Sequence, residues 1–180
     1  MICIRSMRMD YKWNYLMTPE AEPMFQVICD SINKHNCKDV LDIGCGYSKI
    51  SELLPFPVYG IDIDTDAIKY CNNNYSGEYL VRDAVTVNHT VFDKKFDCLV
   101  LSGLLYYFKG DWYPSMTMTK YLHHLIINFD PKLIVVAEPQ PRPEYNGPSY
   151  VEFLDTFKPT ATNLELDIRM GKRVVYEIKL

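Results

Sequence analysis

Apolar residues along this chain fall into two rhythms that alternate several times. Asp39-Val40-Leu41-Asp42-Ile43 and Val58-Tyr59-Gly60-Ile61-Asp62 read as short strands, followed by a three-residue strand at Tyr79–Val81. Phe96–Ser102 and Leu133–Ala137 are almost continuously apolar, the pattern of strands covered on both faces. Between these runs the spacing turns helical. Thr18–His35 carries Met24, Phe25, Ile28 and Ile32 on one face, with Pro19 and Pro23 at its start. Ser48–Leu54 is a short helix stopped by Pro55 and Pro57. Thr65 is the expected cap of a helix through Asn73, with Asp66 in its first turn. Met118, Leu122, Leu125, Ile126 and Phe129 line a helix ending near Asp130-Pro131, and a last helix spans Ser149–Phe157. The end of the chain changes to period two. Leu164, Leu166, Ile168 and Met170 alternate with polar residues, as do Val174, Tyr176, Ile178 and Leu180 beyond Gly171, which predicts an antiparallel hairpin. Five strands separated by helices, then a hairpin, predict an α/β sandwich with a mostly parallel sheet and one reversed strand.

Composition narrows the class of protein. A length of 180 residues suits one domain, and 48% hydrophobic with 23% charged residues is ordinary for a globular chain. Nineteen basic against twenty-three acidic residues leave a net charge of −4, so bulk electrostatics do not favour a nucleic-acid partner. No apolar run approaches the roughly 18–20 residues needed to cross a bilayer, and the N-terminus lacks a secretory pattern. Cys3, Cys29, Cys37, Cys45, Cys71 and Cys98 form no CxxC pair and no zinc-finger spacing. They are expected to be free thiols in a reducing, cytoplasmic setting, with no metal site.

The chemistry concentrates in one loop. Asp42-Ile43-Gly44-Cys45-Gly46 leaves the first strand and enters a helix, where glycine lets the backbone approach a ligand closely. Twenty residues after Asp42, Asp62 ends the second strand, placed to accept hydrogen bonds from a ribose diol. A dinucleotide enzyme would prefer GxGxxG, whereas the sixth position counted from Gly44 is Lys49. Asp42 would also be repelled by a pyrophosphate, but it suits a ligand bearing an ammonium group. S-adenosylmethionine fits that charge pattern better than NAD.

At this point a family resemblance is explicit. Val40-Leu41-Asp42-Ile43-Gly44-Cys45-Gly46 resembles motif I of class I S-adenosylmethionine-dependent methyltransferases. Tyr59-Gly60-Ile61-Asp62-Ile63-Asp64 is similar to their second-strand signature, Arg82-Asp83-Ala84 to the segment after the third strand, and Phe96–Ser102 to the fourth strand. The resemblance extends over about residues 20–180. It implies a Rossmann-like, three-layer αβα sandwich whose seven-stranded sheet has the order 3-2-1-4-5-7-6 with the last strand antiparallel. It also implies that Gly44, Cys45 and Gly46 line the methionine moiety of S-adenosylmethionine, with Asp42 near its amino group. Asp62 would hold the ribose hydroxyls, Ile63 would pack on adenine, and Asp83 beside Ala84 would bind the adenine amine. Ser102 and Gly103 would face the transferable methyl. Asp83 as the cap of the next turn is the competing reading, and Asp64 is expected to be a cap-region carboxylate rather than a ligand.

The same comparison removes some acceptors. Ser102-Gly103-Leu104-Leu105-Tyr106-Tyr107 carries no NPPY-like segment of the kind that holds exocyclic base nitrogens. Ser102 stands where metal-dependent catechol-type enzymes and Lys-Asp-Lys-Glu ribose enzymes need an aspartate. Displacement at a sulfonium depends mainly on alignment, so a general base is optional. Tyr106, Tyr107 and Glu138 are the candidate catalytic residues, with Trp112 and Tyr113 near the same mouth. His123 and His124 fall mid-helix and His89 in a loop, and all three are expected to be structural.

The expected organisation is a single methyltransferase domain over 1–180, with 1–20 as an N-terminal lid or packing segment and 21–180 as the core. Tyr11, Trp13 and Tyr15 lie in that first segment. The expected function is transfer of a methyl group to an O, N or S nucleophile of a small molecule, giving S-adenosylhomocysteine. The alternatives are a non-catalytic cofactor-binding subunit working with a protein partner, a protein or RNA methyltransferase, and a nicotinamide-dependent oxidoreductase. A homodimer is left open.

Overall fold

The computed structural model describes residues 18–108, 116–139, 148–166 and 171–180. A 3₁₀ turn at Pro19–Ala21 leads into α1 (Glu22–Lys34), so the two prolines sit in first turns, where a missing N–H costs nothing. The alternating core follows: β1 (Val40–Ile43), α2 (Ile50–Leu53), β2 (Val58–Asp62), α3 (Thr65–Asn74), β3 (Tyr79–Val81) and β4 (Cys98–Ser102). Then come α4 (Met118–Phe129), β5 (Leu133–Pro139), α5 (Pro148–Phe157), β6 (Thr160–Glu165) and β7 (Lys172–Lys179).

The strands form one seven-stranded sheet in the order β3-β2-β1-β4-β5-β7-β6. Ladders from β3 to β5 are parallel, and β7 runs antiparallel to both β5 and β6. This is the expected topology. The chain reverses its direction of travel across the sheet between β1 and β4, and a crevice opens beyond the carboxyl ends of strands at such a switch point.

Alternate strand residues supply two cores. Leu41, Ile43, Ile61, Leu99, Leu101, Ile134 and Val136 pack with Leu122 and Leu125 of α4 and Phe153 of α5. Val40, Val58, Cys98, Val100, Leu133 and Val135 pack on the other face with Met24, Ile28 and Ile32 of α1. A smaller cluster joins Cys45, Ile68, Cys71 and Tyr79 under α3. Cys98 to Leu101 are all fully buried, as the continuous apolar run requires.

Several local expectations need correcting. The helix expected over Ser48–Leu54 is one turn, Ile50–Leu53, because Ser48 takes a left-handed φ of +51° and cannot join it. Asp64, not Thr65, caps α3, its carboxylate accepting from the N–H groups of Asp66 and Ala67. The sixth strand begins at Thr160, four residues before Leu164, and is exposed along nearly all its length. Its register comes from pairing with β7, Thr160 opposite Glu177 and Glu165 opposite Lys172, not from an inward apolar face. Residues 167–170, including Ile168 and Met170, lie outside the described residues.

One partly buried ionic cluster ties α1 to β7. Glu177 accepts from Ser31 Oγ at 2.7 Å, His35 Nε2 at 3.0 Å and Lys34 Nζ at 3.3 Å. Burial by itself pushes its carboxyl up, but His35, Ser31 and Lys34 outweigh that and hold it at about 2.

Candidate functional site

The glycine loop is pinned to β2 before any ligand is considered. Gly44 and Cys45 donate their N–H groups to Ile61 O at 2.8 and 3.0 Å. Gly46 N–H donates to Asp62 Oδ2 at 2.8 Å, and Asp64 N–H to Asp62 Oδ1 at 2.8 Å. Asp62 is therefore a hinge pin as well as a candidate ligand, because one carboxylate joins the loop after β1 to the turn after β2. Burial raises its pKa while these backbone donors pull the other way.

The loop presents an open cradle. Gly46 has φ +49° and Gly103, after β4, has φ +67°, both in the region that disfavours a side chain. A Cβ on either would meet no atom within 4 Å, so both backbones border free space at the carboxyl ends of β1 and β4. Gly44 is different, since a Cβ there would come within 3.3 Å of Leu104 Cδ1. Leu104, from the loop after β4, thus closes against the loop after β1.

Asp42 lies behind the loop and is only 4% exposed. Burial, with Asp62 close by, pushes its carboxyl up to about 7, and the Ser48 hydroxyl acts slightly in the opposite direction. A buried acid in this state gains most from a cation, whose charge would offset both the lost solvation and the repulsion.

Beyond Asp62 the rim is apolar. Ile63 is 48% exposed, and Val81, paired with Asp62 across β2 and β3, is 41% exposed. Asp83 caps the 3₁₀ turn Ala84–Thr86, its Oδ1 accepting from Val85 N–H at 2.9 Å. Ala84 O accepts from the Tyr121 hydroxyl at 2.9 Å, which anchors that turn to α4.

Across the switch point, Gly103 N–H donates to Ala137 O at 2.7 Å, and Leu105 N–H donates to Glu138 Oε1 at 2.7 Å. Glu138 is buried at the end of β5, so one of its oxygens shapes the turn Leu105–Phe108. Tyr107 is half-buried in that turn. The side chain of Tyr106 lies outside the described residues, as do Trp112, Tyr113, Tyr11, Trp13 and Tyr15.

The structure therefore brings Asp42, Gly44, Cys45, Gly46, Asp62 and Ile63 together around one crevice, with Ser102 and Gly103 across it. The histidines stand apart from it. His124 Nε2 donates to Val87 O at 2.8 Å, the His123 ring packs against Phe157, and His89 is exposed. The five described cysteines are buried free thiols. Sequence reasoning missed Ser48, whose hydroxyl reaches Asp42 only because of its left-handed backbone. It also missed Tyr79, and the signal for that residue was Gly60. A Cβ there would sit 2.5 Å from a Tyr79 ring carbon and 2.9 Å from Cys45 Sγ.

Comparison with known proteins bears on the fold. Residues 41–125 match a sequence family described as a methyltransferase domain. Among curated proteins no sequence matches. The methyltransferase domain of a bacterial CtHen1 is similar in structure, with 13% identity, a TM-score of 0.61, and coverage of 89% of this chain and 99% of that one. Magnesium protoporphyrin IX methyltransferase from Synechocystis PCC 6803, solved with bound SAH, is 12% identical with a TM-score of 0.64, covering 88% and 82%. The plantazolicin methyltransferase BpumL, in complex with a pentazolic desmethylPZN analogue and SAH, is 13% identical with a TM-score of 0.62, covering 94% and 88%. At these identities the likeness is one of fold. Among the described residues no helix is long and apolar enough to cross a membrane.

Proposed function

We propose that this chain, whose residues 41–125 match a methyltransferase domain and whose fold is that of solved methyltransferases, is a class I S-adenosylmethionine-dependent enzyme that methylates an O, N or S nucleophile on a small-molecule acceptor. The observation that carries this reading is the open cradle at Gly46 and Gly103, flanked by the carboxylates of Asp62 and Asp42.

Each residue has a task that its surroundings support. Gly44, Cys45 and Gly46 would carry the methionine moiety, with backbone at van der Waals distance where a side chain would intrude. Asp42 would face the amino group. Asp62, oriented by Gly46 and Asp64 through one lone pair on each oxygen, would present its remaining lone pairs to the ribose hydroxyls. Ile63 would give adenine an apolar shelf. Asp83, with Oδ1 engaged by Val85 N–H, would offer its other oxygen to the adenine amine beside Ala84. Ser102 and Gly103 would border the reacting centre.

The bound cofactor supplies an electrophilic methyl group on a sulfonium, and the protein supplies alignment. Glu138 contributes by holding the turn Leu105–Phe108, which fixes Tyr107 at the acceptor side. That role replaces direct proton abstraction as its first task, since Oε1 is already engaged. Ser102 in place of an aspartate favours an acceptor that needs no metal bridge. The net charge of −4 favours a small acceptor over nucleic acid. Residues 21–180 are read as the methyltransferase core, and residues 1–17 of the segment expected as a lid or packing element lie outside the described residues.

Isothermal titration calorimetry with S-adenosylmethionine and S-adenosylhomocysteine tests the binding half, and micromolar affinity for both is expected. Absence of heat at millimolar ligand overturns the reading. Tight binding with no labelled methyl transferred to any of a panel of phenols, amines, carboxylates and thiols would favour a non-catalytic subunit instead.

A further inference from the structure

Asp42 is enclosed, yet a line of hydroxyl groups leads away from it. Ser48 Oγ lies 3.4 Å from Asp42 Oδ2 and 2.7 Å from Ser51 Oγ, which lies 2.5 Å from the Tyr79 hydroxyl. Each link depends on an unusual local feature. Ser48 is buried with φ +51°, a conformation that costs a residue bearing a Cβ. Tyr79 fits only because Gly60 beneath its ring has no side chain. Ser51, at the other end, borders a groove of about 430 Å³ with Pro55, Phe56, Val58 and Tyr75. Val58 begins β2 and Asp62 ends it, so the groove and the cradle lie toward opposite ends of that strand.

The chain has a direction set by chemistry. An ionised carboxylate only accepts, so Ser48 must donate to Asp42, and Ser48 must then accept from Ser51. Ser51 in turn accepts from the Tyr79 phenol, the terminal donor. Aligned donors reinforce one another in a low-dielectric interior. The other titratable groups around Asp42 are Asp62 from β2, Cys29 from α1, Cys45 from the glycine loop and Cys98 from β4. These are acids and thiols, so the hydroxyl line works for the ionised form where they do not.

We propose that Ser51 and Tyr79 are positioning residues of the cofactor site, holding Ser48 as a donor to Asp42 so that this carboxylate is ionised when the cationic amino group arrives. The proposal rests on the placement of Asp42 beside that amino group, as read above. When the free acid is protonated, binding proceeds with loss of its proton: the O–H bond of Asp42 breaks, and the proton leaves along Ser48 and Ser51 to solvent in the groove.

The test compares two ligands across pH 5.5–8 by calorimetry, in the wild-type chain and in Tyr79→Phe and Ser51→Ala. S-adenosylhomocysteine carries the amino group, and 5′-methylthioadenosine shares the nucleoside but lacks it. The ratio of their affinities therefore cancels Asp62 and reports Asp42. Asp42 sits at about 7 in the free protein, so the ratio should fall as pH drops below 7 and level off above it. In both variants the curve should move to higher pH. The ratio should drop about three- to eightfold at pH 6.5, the scale of one lost hydrogen bond, and come within about twofold of wild type by pH 8.

An unmoved midpoint, or an equal loss at every pH, overturns the positioning role and assigns these residues to packing alone. A wild-type ratio independent of pH overturns the placement of Asp42 and the proposal with it, while nucleoside binding would still uphold the cofactor reading. Failure of both ligands to bind overturns that reading as well.

Discussion

Replacing Asp62 by alanine separates what this carboxylate does for the fold from what it does for a ligand. In the folded chain it accepts two backbone N–H groups, from Gly46 and Asp64, each at 2.8 Å. Hydrogen bonds to a charged group are worth about 1.5–3 kcal/mol each, but water can reach this rim, so the lower end applies. Against that loss stands a gain. Asp62 carries its charge at a cost from burial, and it pushes Asp42 up in turn, so its removal relieves both. The net loss of stability should be small, about 0–2 kcal/mol. Cofactor binding has no such compensation. The ribose loses a charged acceptor, and Gly46 loses the anchor that holds the cradle open. The expected penalty is about 2–3 kcal/mol, or roughly 30- to 150-fold in Kd. Titration calorimetry with S-adenosylhomocysteine measures the second quantity, and urea denaturation of the ligand-free protein measures the first. A Kd within threefold of wild type would refute the ribose assignment. A stability loss of 4 kcal/mol or more would show that Asp62 is chiefly a structural pin.

Gly46→Ala should act on the same site by a different route. Its Cβ meets nothing in the free chain but enters the cradle, so the fold should lose about 1 kcal/mol from φ +49° while cofactor affinity falls more than tenfold, read by calorimetry. Gly77→Ala should destabilise the fold by about 3 kcal/mol or more, because its Cβ would lie 1.7 Å from the Val58 carbonyl oxygen. A urea midpoint equal to wild type would contradict that close approach. Glu177 has a folded-state pKa depressed to about 2. Its contribution, on the order of 3 kcal/mol, is therefore complete above the unfolded value near 4.3 and disappears as pH falls toward 2. Glu177→Gln should be less stable than wild type at pH 7 and nearly equal to it at pH 2, as followed by circular dichroism at fixed urea.

Local chemistry explains why so much was legible in the sequence. The strands announce themselves by apolar runs, the helices by period 3.6, and the breaks by Pro55, Pro57 and Pro131. Asp62 and the glycine loop were readable because residue type and spacing alone demand close backbone approach beside an acceptor. Where the reading fell short, the deciding interaction came from elsewhere in the chain. Glu138 lies 33 residues from the Leu105 N–H that it holds, a structural task that no local pattern announces.

The sequence by itself determined the order of elements, the glycine loop after the first strand and the acid that ends the second. These depend on backbone preferences acting over a few residues. Only the tertiary structure decided that Asp62 pins the loop it was expected to serve, and that Ser48, Ser51 and Tyr79 line up behind Asp42. It also decided that Ser31 and Glu177, 146 residues apart, share a hydrogen bond. Such pairs form because the sheet aligns distant strands and packs helices across its faces, and burial then makes each polar group find a partner. No period in the chain records which partner that will be.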